Sequence, residues 1–212
     1  MPDLDRFFRL LREVPAPPDA ELLYDAGTAD GALRLANLER YLALLAAERP
    51  TTILVAEAPG WRGATITGIP FVSMRELTAR PGLITGGPDG DGFALPADPP
   101  AVWEASASFV WKALAAWPRP LPVAWPVYPH HPFVPGDRRT NRTPRPAEVR
   151  AGAPVALALI ESLGIRQVVA VGRKAQGALA LAGVEAHPVR HPAQGGASEF
   201  AAGMAALAAE QR

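Results

Sequence analysis

Residues 51–73 read TTILVAEAPGWRGATITGIPFVS. The first six, Thr51 to Ala56, form an unbroken run of β-branched and aliphatic side chains. Such a run fits a strand buried on both faces of a parallel sheet. It stops abruptly at Glu57, and Pro59-Gly60 imposes a tight turn. Phe71 follows after the loop Thr-Gly-Ile-Pro. A carboxylate at this place can cap a turn in solvent, or it can face a ligand crevice. Phe71 can fill the core, or it can stand at the crevice mouth and stack on a flat ring, a contact worth about 1–3 kcal/mol for a nucleobase.

The pattern outward from this stretch alternates helices and strands. Helical spacing covers residues 4–11 and 32–47, where Leu33, Leu35, Leu38, Tyr41, Leu42, Leu44 and Leu45 recur. A short helix is expected over 72–79, then a Gly/Pro-rich loop over 81–100, a helix over 101–116 and a strand over 121–125. A long loop follows at 126–146, and a loop of that length is usually functional or disordered. Helix 147–163, strand 167–171, helix 173–182, strand 184–188 and helix 198–211 complete the chain. Strands separated by helices imply an α/β fold, a parallel sheet between helical layers. The whole chain, 1–212, reads as a single domain, with the helices of residues 1–50 packing on the core. Ligands of such sheets bind beyond the carboxyl ends of the strands. That directs attention to the loops 57–71, 126–146, 172–174 and 187–196.

Composition narrows the chemistry. There is no cysteine, so thiol catalysis, disulfides and thiolate-held zinc or iron–sulfur centres are excluded. The four histidines, His130, His131, His187 and His191, show no i, i+4 zinc pair, and neither metal nor cofactor is expected. The formal net charge is zero, which argues against a nucleic-acid coat protein but not against a local basic face. DRRTNRTPRPAEVR, residues 137–150, holds five arginines, either a solvated loop or a phosphate contact. His130 and His131 are expected to be solvated or to touch phosphate. Trp103, Trp111, Trp117 and Trp125 are expected in the core or between helices. No apolar run of 18 residues occurs. MPDLDRFFRL lacks the pattern of a secretion signal, so the chain is expected in the cytoplasm, away from membranes.

His191 stands in VRHPAQGG, between the last strand and the last helix. Pro192 restricts it to an extended backbone, and Gly195 and Gly196 permit close approach of another chain. A satisfied structural histidine is one reading. A side chain aimed at the crevice is the other. Gly172 opens a helix with Arg173 and Lys174, whose amide donors and positive dipole suit an anion.

Taken in order, EAPG, TGIPF, YPHHPFVPGDRRTNRTPRPAE and HPAQGG resemble the uracil-DNA glycosylase superfamily, over residues 51–205. The pattern is similar to its bacterial group with a Glu-Ala-Pro-Gly first motif and a His-Pro second motif. The resemblance implies a three-layer α-β-α sandwich around a four-stranded parallel sheet. It implies an enzyme that flips uracil or another deaminated base out of DNA and hydrolyses its N-glycosidic bond. Glu57 would be the carboxylate of the water-holding loop, with Ala58, Pro59 and Gly60 around the base and Ala58 where another branch has an aspartate. Phe71 would stack on the base. Asn141 would hold water or the loop. His191 would donate to the base carbonyl oxygen as charge develops there. Arg138, Arg139, Arg142, Arg173 and Lys174 would meet phosphates, and Gln194, Gly195, Gly196 and Ala197 would approach the minor groove. The protein would act as a monomer on lesion-bearing DNA.

Two departures stand out. The family's uracil-reading asparagine is replaced by Pro126, which offers neither a side-chain hydrogen bond nor a backbone N–H; a lost buried hydrogen bond costs about 1–3 kcal/mol. Relatives with EAPG often carry an iron–sulfur cluster on four cysteines, and a chain without cysteine would belong to a cluster-free branch. Two alternatives therefore stand beside the enzyme: a glycosylase-like module that binds DNA or a base without cutting, and a small-molecule nucleotide enzyme. The last lacks support from any GxGxxG or GxxxxGK[ST] motif.

Overall fold

A four-stranded parallel sheet, with strands in the spatial order 123–126, 52–56, 167–171 and 187–189, forms the centre of the molecule. The computed structural model describes residues 3–211; Met1, Pro2 and Arg212, which the single-domain reading includes, lie outside the described residues. In chain order the elements are α1 (Asp5–Glu13), β1 (Ala20–Glu21), α2 (Ala29–Ala47), β2 (Thr52–Ala56), α3 (Ala64–Thr67), α4 (Met74–Ala79), α5 (Ala105–Leu114), β3 (Val123–Pro126), β4 (His131–Pro132), α6 (Pro146–Leu163), β5 (Gln167–Val171), α7 (Arg173–Leu181), β6 (His187–Val189) and α8 (Ala197–Glu210).

β2 is buried at all five positions, with β3 on one side and β5 on the other. A two-sided interior strand must be apolar on both faces, which is why the sequence here shows no alternation. Helices cover the sheet, as expected for the three-layer sandwich. One continuous core runs from Phe7 through Ile53, Leu54, Val55, Trp125 and Leu159 to Phe200 and Ala208. Local chemistry sets the helix ends. Thr28 caps α2 by accepting from Gly31 N at 3.1 Å. α6 starts with Pro146, whose missing N–H costs nothing at that position, and it ends at Gly164 with φ +64°.

Several expectations are corrected. The last strand lies at His187–Val189, not 184–188, because its register is set by pairing with β5 rather than by its own weak pattern. The long loop after β3 is not structureless: His131–Pro132 pairs antiparallel with Ala20–Glu21. His130 and His131 are fully buried, not solvated. His130 Nε2 lies 3.0 Å from Val14 O, and His131 Nε2 lies 2.9 Å from Thr140 O. Burial holds both imidazoles below the usual range, hence neutral, and each donates through Nε2 to its carbonyl. Trp111, Trp117 and Trp125 are buried as expected, but Trp103 is 43% exposed. It precedes α5, and its indole donates to Ser108 Oγ at 2.9 Å.

The sheet order creates a crevice. β2 leads through α3–α5 to β3 on one side, whereas β5 leads through α7 to β6 on the other. The loops leaving the carboxyl ends of β2 and β5 therefore diverge, and a doubly wound sheet opens its binding site at such a point.

Candidate active site

A cavity of about 420 Å³ lies at this divergence. Its wall includes Glu57, Ala58, Pro59 and Gly60 after β2, Phe71, Pro126 at the end of β3, Asn141, Arg173 and Lys174 at the start of α7, and His191 and Gln194 after β6. Residues more than 130 positions apart in the chain thus meet at one place.

Glu57 is held at the crevice floor. Its Oε2 lies 3.7 Å from Lys174 Nζ, and Lys174 also bonds Thr143 Oγ1. Oε1 is buried and accepts from no protein group. Burial raises the carboxyl above its ordinary range, with Lys174 pulling the other way. A desolvated carboxylate with an open acceptor can bind and orient a water molecule.

His191 faces the same cavity with a defined tautomer. Ala193 N–H donates to its Nδ1 at 3.1 Å, so the neutral ring carries its proton on Nε2. Burial, and then the charges of Arg190 and Lys174, hold His191 below its usual range. It is therefore a neutral donor near pH 7. Gly172, at φ +90°, allows this placement: a Cβ there would sit 2.9 Å from that of His191.

Phe71 sits at the boundary of core and cavity. It is 9% exposed and belongs to the core, yet it lines the cavity. Its φ of +57° is unusual for a bulky residue, and Trp111 Nε1 fastens its carbonyl at 3.0 Å. Backbone held in a rare region is typical of functional sites. Asn141 holds the first-motif turn in place: its Oδ1 accepts from Trp61 N at 3.0 Å and from His131 Nε2 at 3.2 Å. Pro126 ends an edge strand, where a missing N–H is tolerated.

The arginines divide. Arg173 and Arg190 are exposed at the cavity rim. Arg138 and Arg139 are exposed but line a separate hollow with Trp61 and Arg34. Arg142 borders the cavity, but its charge is committed inward. It bonds both Glu148 oxygens at 2.8 Å and reaches Asp19 Oδ2 at 3.2 Å. It braces the loop rather than presenting a free charge to a phosphate. Gln194 is exposed at the rim and Gly195 is exposed beside it, whereas Gly196 is buried against the His191 carbonyl. Ala197 is partly buried and opens α8.

That brace makes a prediction. Losing its charge-assisted hydrogen bonds costs about 1–3 kcal/mol, because Arg145 still pairs with Asp19 and Glu148. Arg142→Met should lower the unfolding free energy by about that amount, read by urea titration. The brace is also pH-dependent. Hydrogen bonding to Arg145 pulls Asp19 below its usual range. Burial pushes Glu148 up, but Arg142 and the Arg145 N–H pull it lower overall. The stability these depressed carboxylates supply is present above their ordinary values of 3.8 and 4.5 and is lost as pH falls through the lowered ones.

Sequence reasoning missed Glu104. It lies just before α5, 47 positions after Glu57, yet it lines the same cavity. No motif marks it.

The family model of the uracil DNA glycosylase superfamily matches residues 44–206. The chain belongs to this superfamily. Among solved structures, that of wild-type SMUG2 from Pedobacter heparinus is similar in fold, with a TM-score of 0.66 and 14% identity, over 100% of this chain and 99% of that one. No curated protein matches the chain. The sandwich architecture expected from the sequence is thus shown for this superfamily member. Among the described residues, no group of three or more His, Asp or Glu could hold a metal ion, and no helix is long and apolar enough to cross a membrane.

Proposed function

We propose that this superfamily member is a DNA glycosylase of the cluster-free EAPG branch, hydrolysing the N-glycosidic bond of uracil or another deaminated base. The carrying observation is the pairing, on one cavity, of a carboxylate oxygen without a protein partner and a neutral imidazole that donates from Nε2. The flipped base stacks on Phe71. Its carbonyl oxygen accepts from His191 Nε2 as the C1′–N bond breaks and the electron pair leaves with the base. A water held by Glu57 adds to C1′ and gives its proton to the carboxylate. Arg173 and Arg190 at the rim offer charge to the DNA backbone.

A single assay series tests this reading. Uracil-, hypoxanthine- and xanthine-containing oligonucleotides, single- and double-stranded, are incubated with stoichiometric protein and the abasic product is measured. Product from at least one lesion is expected; none from any would overturn the proposal. Pro126 favours a second reading, a module that binds without cutting, because the residue at the end of β3 offers the base edge no hydrogen bond. Pro126→Asn separates the two. An inactive wild type that gains uracil cleavage with this substitution marks a working scaffold with a degenerate pocket.

A further inference from the structure

Glu104 shares the cavity wall with Glu57 but belongs to a different part of the chain. Its backbone carbonyl accepts from Ser108 N at the start of α5, while its carboxylate makes no hydrogen bond or ion pair among the described residues. The carboxylate is partly exposed on the cavity wall and overhangs the first-motif turn. A Cβ on Gly60 would sit 2.5 Å from Glu104 Oε1 and 3.9 Å from Asn141 Nδ2, and a Cβ on Gly63 would collide with Oε2. The two glycines leave room for the carboxyl. Asn141 Oδ1 is occupied by Trp61 N and His131, so its Nδ2 is the free end. Glu104 Oε1 and Asn141 Nδ2 thus both lie close to Gly60, on the wall of the same cavity.

The geometry points to Glu104, alongside Asn141 Nδ2, as the residue that reads the polar edge of a nucleobase in this cavity. The inference rests on the glycosylase reading of the same pocket and names its specificity residue. A neutral carboxyl carries one donor and one acceptor, the same pair an amide offers. That matches what Pro126 cannot supply on β3. The surroundings favour the neutral form. Burial and the Glu76 carboxylate of α4 raise Glu104 to about 7, with Arg62 of the first-motif turn opposing them. Arg62 itself lies over the Trp61 ring, 4.5 Å from its centroid, and is not paired with Glu104. The other titratable or charged groups on the cavity are Glu57, which adds negative charge, His191, which burial holds below its usual range, and Lys174, Arg173, Arg142 and Arg190, of which Lys174 and Arg142 are already engaged by other carboxylates.

The test measures binding of the free bases uracil and hypoxanthine by titration calorimetry at pH 6 and pH 8, with wild type and Glu104→Gln. Binding scales with the fraction of competent protein. With Glu104 titrating at about 7, wild-type affinity should fall about tenfold between the two pH values. Glu104→Gln, permanently neutral with both a donor and an acceptor, should bind equally at both. A wild type indifferent to pH, an equal fall in Glu104→Gln, or no binding of either base would overturn the inference. The readout does not need cleavage. A protein that cuts lesion DNA but binds bases without this pH dependence leaves the glycosylase reading standing and removes Glu104. One that shows the dependence but cuts nothing does the reverse.

Discussion

Glu57→Gln is expected to lower kcat on the preferred lesion by about 10²- to 10⁴-fold, the span of general acid–base contributions. The substitution keeps the shape of the side chain and its place beside Lys174. It removes the charge that orients water and accepts its proton. Lesion binding should stay within a few-fold, because the amide can still occupy the crevice floor. The pH profile gives a second check. Burial raises Glu57 above its ordinary 4.5, and the ionised form is the working one. Wild-type activity should therefore rise with pH through a value above 4.5, and this acid limb should vanish in the residual activity of Glu57→Gln. Single-turnover kinetics would show it. An unchanged kcat, or an acid limb that persists, would remove Glu57 from the chemistry.

His191→Ala carries the next largest effect, about 10²- to 10³-fold in kcat, as for the loss of one donor to a developing oxyanion. Because Ala193 N–H occupies Nδ1, the only proton of the neutral ring sits on Nε2. Burial together with Arg190 and Lys174 keeps the ring neutral. A neutral donor stabilises the departing base anion without needing to be charged first. The loss should appear in kcat more than in KM, since the bond strengthens as charge develops. A base that is a better leaving group needs less help, so the penalty should shrink as the acidity of the base rises. A uniform penalty across lesions, or one confined to KM, would assign His191 a positional role.

Some of this protein was legible in its residues. The run Thr51–Ala56, the turn at Pro59-Gly60 and the HP segment at 191–192 are local signals. Each is dictated by backbone chemistry within a few residues: β-branched packing, fixed proline torsions, glycine freedom. They place Glu57 and His191 after strand ends and Phe71 after the loop that follows, and the structure brings all three to one cavity. Arg142 was legible only as a charge. Whether that charge faces DNA or Glu148 depends on Asp19, 123 residues away, and no local pattern reports such a partner. His130 and His131 looked solvent-facing because they adjoin a polar loop; pairing of β4 with β1 buries them.

The amino-acid order alone therefore determined the α/β class, the superfamily motifs and which strand ends border the cavity, because these follow from short-range periodicity and turn geometry. The tertiary structure alone decided the order β3-β2-β5-β6, the inward commitment of Arg142, the tautomer of His191 and the arrival of Glu104 over Gly60 and Gly63. Those depend on which distant surfaces meet, and burial, ion pairing and proton position take their values only after they have met.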